Sequence, residues 1–310
     1  MRVLHLTTGR RSFFEQQVAA LRDSGVDCTV LEVPGDYAAD DPRSVVDYLR
    51  YYPQVVNGGL GGYDLVHANN GLTVPFALAQ PTGPVVATFW GSDLMGERGW
   101  LGRLSRFGAS MVDRVILPSE RLSAYVDCPY THVPFPVDTE LFRPIDRATA
   151  RTHVGWDPDE SVVLFPYDPD RPEKDYERAR NVVAAADTDA KLRTLTGKSH
   201  AEMPYYLNAS DAVLVTSKRE SGPMVVREAA ACNVPVVSTD VGFVAETLAD
   251  VNHSFVCRSD LELAGALEHV LDAAQRSAAR DRVPELGPDQ FGRRLQRVYR
   301  SVAEEAVVPA

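Results

Sequence analysis

The chain has 310 residues, 45% of them hydrophobic, 24% charged and 8% aromatic, which excludes a disordered or fibrous polypeptide. Single hydrophobic cores stop growing near roughly 250–300 residues, so this length favours two domains. The formal charge of −11, from 43 acidic and 32 basic side chains, argues against nucleic acid as a partner, because neutralising phosphates takes a basic face.

No apolar run reaches the ~20 residues that span a bilayer, and the opening Met1–Leu6 ends at polar Thr7, far short of a signal peptide. A cytoplasmic chain is expected. Cys28, Cys128, Cys232 and Cys257 stand apart without paired metal-ligand spacing, so they read as small buried hydrophobes and no metal is expected.

Short β-branched runs alternate with helical patterns from the first residue. Arg2–Leu6 predicts a buried strand, Phe13–Arg22 an amphipathic helix and Cys28–Val33 the next strand. Leu65–Ala68, Val85–Phe89 and Val115–Leu117 continue the series, with Asn57–Gly62 as a flexible connector. Gly99–Phe107 mixes Trp100 and Phe107 with Arg103 and Arg106. It can rest on an anionic membrane, but its two glycines and short length favour an ordinary helix turned to its own core. Prolines 134, 136 and 144 break the pattern and place a domain boundary there.

The second series runs strand Val162–Phe165, helix Tyr176–Ala186, strand Leu192–Leu195, helix Glu202–Asn208, strand Ala212–Thr216, helix Met224–Cys232 and strand Val234–Ser238. Helices near Ala245–Leu248 and over Leu261–Ala273 follow. Phe291, Leu295, Val298, Tyr299 and Val302 then form the apolar stripe of a last helix, after the breakers Gly287-Pro288. Twice-repeated βαβ grammar predicts an α/β protein with two doubly wound parallel sheets. Ligands are expected at the carboxyl ends of the strands, where helix amino termini point.

The most informative stretch is Glu220-Ser221-Gly222-Pro223-Met224-Val225-Val226-Arg227-Glu228, after the strand Ala212–Thr216. Pro223 suits a first helical position, Gly222 lets backbone come close to a ligand, and the helix offers free amides to an anion. Glu220 and Glu228 cannot help to bind phosphate, but they accept hydrogen bonds from hydroxyls. An anion cradle with two flanking acceptors matches a sugar nucleotide. The alternative is that Glu220 caps the helix while Glu228 makes a surface pair with Arg227. Asp170-Arg171-Pro172-Glu173-Lys174 follows Val162–Phe165, and its two cations either neutralise a leaving diphosphate or pair with neighbouring acids.

In the first half, Thr7-Thr8-Gly9-Arg10-Arg11-Ser12 fills the first βα loop, where Arg10 and Arg11 either meet a phosphorylated acceptor or face solvent. His67 ends a strand, a place where a lone histidine is more often structural. In Thr88-Phe89-Trp90-Gly91-Ser92-Asp93, Trp90 offers sugar stacking or plain packing, and Asp93 binds acceptor hydroxyls or caps the next helix.

The segment from Glu220 to Glu228, with its continuation Asn233–Gly242, resembles the E-x7-E region of family 4 glycosyltransferases, which have the GT-B fold. Pro136-Val137-Asp138-Thr139-Glu140-Leu141-Phe142-Arg143-Pro144 is similar to that family's interdomain signature, with Phe135-Pro136 replacing its Asn-Gly. His200–Asp211 resembles the helix before the E-x7-E strand, and Trp90-Gly91-Ser92-Asp93 resembles the H-G-S-D stretch, with Trp90 in place of histidine.

The resemblance implies two Rossmann-like domains facing a cleft, 1–143 for the acceptor and 144–286 for the nucleotide sugar. Residues 287–310 would form a terminal helix returning to the first domain. It implies retaining transfer from a nucleoside-diphosphate donor to a glycan, lipid-linked or small-molecule acceptor, without metal or other cofactor. Peripheral contact at the inner face of the membrane stays the second alternative that Gly99–Phe107 leaves open. Glu220 would contact the hexose, Glu228 the ribose, and Lys174 and Arg171 the phosphates. Gly222, Pro223, Met224, Val225, Thr196 and Gly197 complete the donor side, whereas Gly9, Arg10, Arg11, His67, Trp90 and Asp93 are acceptor-side candidates. A sugar-nucleotide epimerase or hydrolase, or a silent homologue that only binds a partner, is the alternative.

Overall fold

The computed structural model describes residues 1–10, 12–35, 43–95, 99–283 and 286–307. They divide into two compact units, Met1–Pro136 with Pro288–Ala310, and Val137–Gly287.

The first unit runs β1 (Arg2–Thr7), α1 (Ser12–Asp23), β2 (Asp27–Glu32), α2 (Val45–Gly59), β3 (Leu65–Ala68) and α3 (Val74–Leu78). It continues with β4 (Val85–Thr88), α4 (Ser92–Met95), α5 (Gly99–Ala109), β5 (Arg114–Leu117) and β6 (Tyr130–His132). Its sheet is all parallel in the order β2-β1-β3-β4-β5-β6. The inner strands are buried along nearly their whole length because helices cover both faces of a parallel sheet.

The second unit runs α6 (Arg147–Val154), β7 (Val162–Phe165), α7 (Tyr176–Ala185), β8 (Lys191–Thr194), α8 (Met203–Ala209) and β9 (Ala212–Val215). Then come α9 (Met224–Ala231), β10 (Val236–Thr239), α10 (Val244–Leu248), β11 (Phe255–Cys257) and α11 (Asp260–Ala273). This sheet is also parallel, in the order β11-β10-β9-β7-β8.

Helix α12 (Pro288–Val307) belongs to the first unit. Its stripe Phe291, Leu295, Val298, Tyr299 and Val302 is buried with Val3, Phe14, Val18 and Leu21. Gly292 sits so close to α1 that an added Cβ would lie 2.3 Å from the Ala20 carbonyl oxygen, so only glycine permits this approach.

The chain changes units at Pro136–Val137, earlier than the expected 143. Val137 and Phe142 are part of the second core, and Arg280 donates to the carbonyls of Phe142 (2.8 Å) and Thr139 (2.9 Å). The change falls within the proline stretch 134–144, and the packing of Val137 and Phe142 puts it at Pro136 rather than at 143.

Two further expectations are corrected. Asn57, Gly58 and Gly59 are the last turn of α2, not a connector, and a Cβ on Gly59 would stand 2.9 Å from Gln80 Oε1. Helix α5 turns its small residues Gly102, Ser105, Gly108 and Ala109 inward, leaving Trp100, Phe107 and the following Met111 58%, 67% and 56% exposed. A Cβ on Gly108 would meet Val74 at 2.8 Å, so close packing requires the small face there and pushes the bulky one outward.

Candidate active site

The second unit gathers the donor-side candidates at the carboxyl edge of its sheet. Strand β7 is fully buried and leads through Tyr167 into a 3₁₀ turn, Pro172–Lys174. Thr216, just past β9, donates its hydroxyl to the carbonyls of Lys174 (3.1 Å) and Asp175 (3.0 Å), which pins the turn to the neighbouring strand. Lys174 is thereby 4% exposed. Its ammonium forms an ion pair with Glu220 and lies 4.1 Å from the Tyr167 ring centroid.

Burial lowers the Lys174 pKa and the Glu220 charge partly opposes that shift. Burial, followed by the carboxylates of Glu220 and Glu228, raises the Tyr167 phenol well above its ordinary value. Arg171, by contrast, is half exposed and binds Glu173 through Nε at 2.8 Å and a terminal nitrogen at 2.5 Å. It is part of a local acid–base pair in the loop, the bland reading of its position.

Glu220 does not cap the helix: its carboxylate takes the Lys174 ammonium and the Ser217 hydroxyl, the latter at 3.0 Å. Ser217 is held in turn, since its carbonyl accepts the Thr239 hydroxyl at 2.8 Å. Helix α9 begins at Met224, with Pro223 as the flanking residue rather than the first helical one. Gly222 has a different use from the expected ligand approach. An added Cβ would lie 2.0 Å from the Phe243 ring, and Gly242, at φ +52°, packs against the Gly222 backbone. Val225 buries its side chain in the second core. The first backbone amides of α9 have no helical carbonyl ahead of them to bond.

Glu228 lies in the second turn of α9 and is 8% exposed, which rules out the surface pair. The Arg227 guanidinium sits 3.6 Å from the Phe243 ring centroid instead. Burial alone raises the Glu228 pKa to about 7. His200 Nδ1 stands 3.9 Å from its carboxylate and meets Phe142 edge-on at 5.0 Å. Burial lowers the His200 pKa, which disfavours a charged imidazolium beside Glu228. Thr196 and Gly197 follow β8, are exposed, and Thr196 lines a hollow of about 480 Å³ with Trp156, Arg193, Lys198 and Tyr206.

Sequence reasoning missed Tyr167, His200 and Ser217. His200 stood inside a motif already singled out, and Tyr167 was an aromatic in an otherwise polar loop. Neither signal tells which carboxylate each residue would meet.

The first unit uses most of its candidates for structure. His67 is fully buried in β3 and does not end a strand toward a ligand: Nδ1 bonds Tyr299 of α12 at 2.6 Å and Nε2 bonds Thr88 at 2.7 Å. Burial holds its pKa well below 6.5. Asp93, 1% exposed, accepts the amides of Gly71 (3.0 Å) and Gly91 (2.9 Å), and burial raises its pKa to about 6. That carboxylate locks two loops together, one amide on each oxygen.

Trp90 donates its indole N–H to the Asn69 carbonyl at 2.7 Å and stacks on Phe135 at 5.1 Å, with Phe13 at 4.4 Å. Gly9 closes a turn with the Thr7 hydroxyl, and exposed Arg10 pairs with Glu32 at 3.5 Å. Arg11 lies outside the described residues. Among the described residues, no three His, Cys, Asp or Glu side chains are grouped to hold a metal ion.

Residues 172–283 match the family described as glycosyl transferases group 1. The match covers most of the second unit. The matched residues contain Lys174, Glu220 and Glu228, so the pair and the raised carboxylate lie inside the group 1 region. Relatives agree with that assignment. The lipopolysaccharide core biosynthesis mannosyltransferase LpsB of Rhizobium meliloti (strain 1021) is 28% identical over 179 residues, 48% of this chain and 50% of its own length. The chain thus spans half the length of this curated relative.

Two solved structures have the same fold. Sucrose-phosphate synthase from Thermosynechococcus elongatus superposes with a TM-score of 0.80 at 17% identity, over 98% of this chain and 100% of its own. Anabaena HepE, solved in complex with UDP and glucose, reaches 0.74 at 15% identity, over 97% and 100%. The chain has the GT-B fold, two Rossmann-like parallel-sheet units.

Proposed function

We propose that the protein is a retaining, family 4 type glycosyltransferase that moves a sugar from a nucleoside diphosphate to a glycan, lipid-linked or small-molecule acceptor bound by the first unit. The observation that carries this reading is the buried Lys174–Glu220 pair beside the start of α9, with Glu228 on the same helix. A diphosphate placed against the α9 amides shares the Lys174 ammonium, while Glu220 and Glu228 accept hydroxyls of the hexose and ribose. A structural neighbour was solved with UDP and glucose, which supports this donor class.

In the reaction, the bond from the anomeric carbon to the diphosphate oxygen breaks and the bond to the acceptor oxygen forms on the same face. The acceptor proton leaves on the departing phosphate. The protein contributes position and a fixed positive environment rather than a nucleophile or a metal.

Thermal unfolding with UDP, GDP, ADP and TDP tests the reading. One of them should stabilise the protein by about 2.7 kcal/mol at a hundred times its dissociation constant, a rise of several degrees. Protection by none of the four sinks it. Donor breakdown that proceeds equally without any acceptor favours the epimerase or hydrolase alternative.

A second observation concerns membranes. No helix among the described residues is long and apolar enough to cross a bilayer, but α5 exposes Trp100 and Phe107, with exposed Met111 just after it, beside exposed Arg103 and Arg106. We propose that this face rests on an anionic lipid surface, the aromatic rings entering the headgroup layer and the guanidinium groups meeting lipid phosphates. Burying two aromatic side chains contributes about 1.5–3 kcal/mol each. The variant Trp100→Ser/Phe107→Ser should therefore lose at least about tenfold in sedimentation with phosphatidylglycerol vesicles. Undiminished sedimentation would remove α5 from consideration.

A further inference from the structure

The buried Glu228 carboxylate accepts no hydrogen bond among the described residues, and burial alone shifts it. His200 Nδ1 stands 3.9 Å from Glu228 Oε1, too far for a direct hydrogen bond between nitrogen and oxygen. The gap fits one hydroxyl oxygen at roughly 2.8 Å from both atoms. The two side chains are 40% and 10% exposed, so a ligand reaches this gap from the imidazole side.

The imidazole is held where it is by backbone and packing. Ser199 gives its amide (3.0 Å) and its hydroxyl (2.7 Å) to the Glu202 carboxylate, which closes the turn leading into α8. The His200 carbonyl accepts the Met203 amide at 3.3 Å. The ring meets Phe142 edge-on with centroids 5.0 Å apart, and Phe142 is itself buried in the second core. Glu228 sits on α9, whose residues Val225–Ala231 are all buried. Both groups are set in place, and the distance between them stays open.

We propose, resting on the ribose assignment of Glu228 above, that His200 is a specificity residue which holds one ribose hydroxyl of the donor jointly with Glu228. The hydroxyl donates its proton to Glu228 Oε1, and its oxygen accepts the N–H of His200 Nδ1. A neutral imidazole with its proton on Nδ1 is the form that makes this bridge. A site built around a hydroxyl rejects the analogue that lacks it, because both polar groups are then left unpaired.

Titration calorimetry on the full chain tests the bridge, using the tightest-bound of UDP, GDP, ADP and TDP and its analogues lacking one ribose hydroxyl. One analogue should bind wild-type protein about tenfold more weakly than the parent nucleotide. His200→Ala should lose a similar factor for the parent and almost nothing for that analogue, because the bridge is already broken there. His200→Phe keeps a ring against Phe142 but no N–H, and should behave like His200→Ala. Wild-type protein that binds parent and analogues alike, equal losses for all of them in His200→Ala, or a preference retained by His200→Phe overturns the proposal. The ribose assignment survives those results if Glu228→Gln still weakens the parent. Wild-type affinity in Glu228→Gln, or binding of none of the four nucleotides, overturns both.

Discussion

Lys174→Ala is expected to abolish measurable sugar transfer and to lower stability by about 3–5 kcal/mol, the cost of stranding one member of a buried ion pair. The Lys174 side chain is 5% exposed and that of Glu220 is 13% exposed, so the orphaned carboxylate has little water to turn to. Losing the lysine also removes the cation over the Tyr167 ring. Fold and function can be separated by the double variant Lys174→Met/Glu220→Gln. It leaves no unpaired charge at this position and should recover most of the stability, measured by urea unfolding, while donor turnover stays absent. Wild-type turnover in Lys174→Ala would remove this residue from the donor site.

Glu228→Gln is expected to make the protein more stable at pH 8 and a poorer nucleotide binder. Burial holds the Glu228 pKa near 7, against 4.5 for the exposed group. The unfolded chain therefore gives up this proton at lower pH than the folded one. The folded state is favoured most below pH 4.5, and stability falls as pH rises from there to about 7, then levels off. A difference of about 2.5 pKa units corresponds to roughly 3 kcal/mol at pH 8, an upper figure, and glutamine abolishes it.

The same substitution removes a charge-assisted acceptor from the ribose and should weaken nucleotide affinity about tenfold or more. Ribose hydroxyls favour the carboxylate form, so wild-type affinity should rise with pH through 7 and that of the variant should not. Parallel pH profiles for the two proteins, in unfolding and in nucleotide binding, would contradict both the burial argument and the ribose assignment.

The alternation of strand and helix was legible because a buried parallel strand must be apolar on both faces. Val162–Phe165, Ala212–Val215 and Val236–Thr239 are short β-branched runs for that reason. The stripe on α12 was legible through its helical period, and the spacing of Glu220 and Glu228 put both carboxylates near one strand-to-helix turn. These are local signals, written in neighbours along the chain.

What only the tertiary structure decided was which partner each polar group meets. Lys174 finds Glu220 across 46 positions, and His67 finds Tyr299 across 232. Composition and spacing leave such groups with several candidate partners of the correct charge. Burial and distance select one, and that selection made His67 and Asp93 structural while it drew Glu228 upward in pKa. The outward face of α5 was settled in the same way. Periodicity marks a stripe of bulky side chains on a short helix, but the closeness of its neighbours determined that the glycines, and not Trp100 and Phe107, fill the space beside α3 and α4.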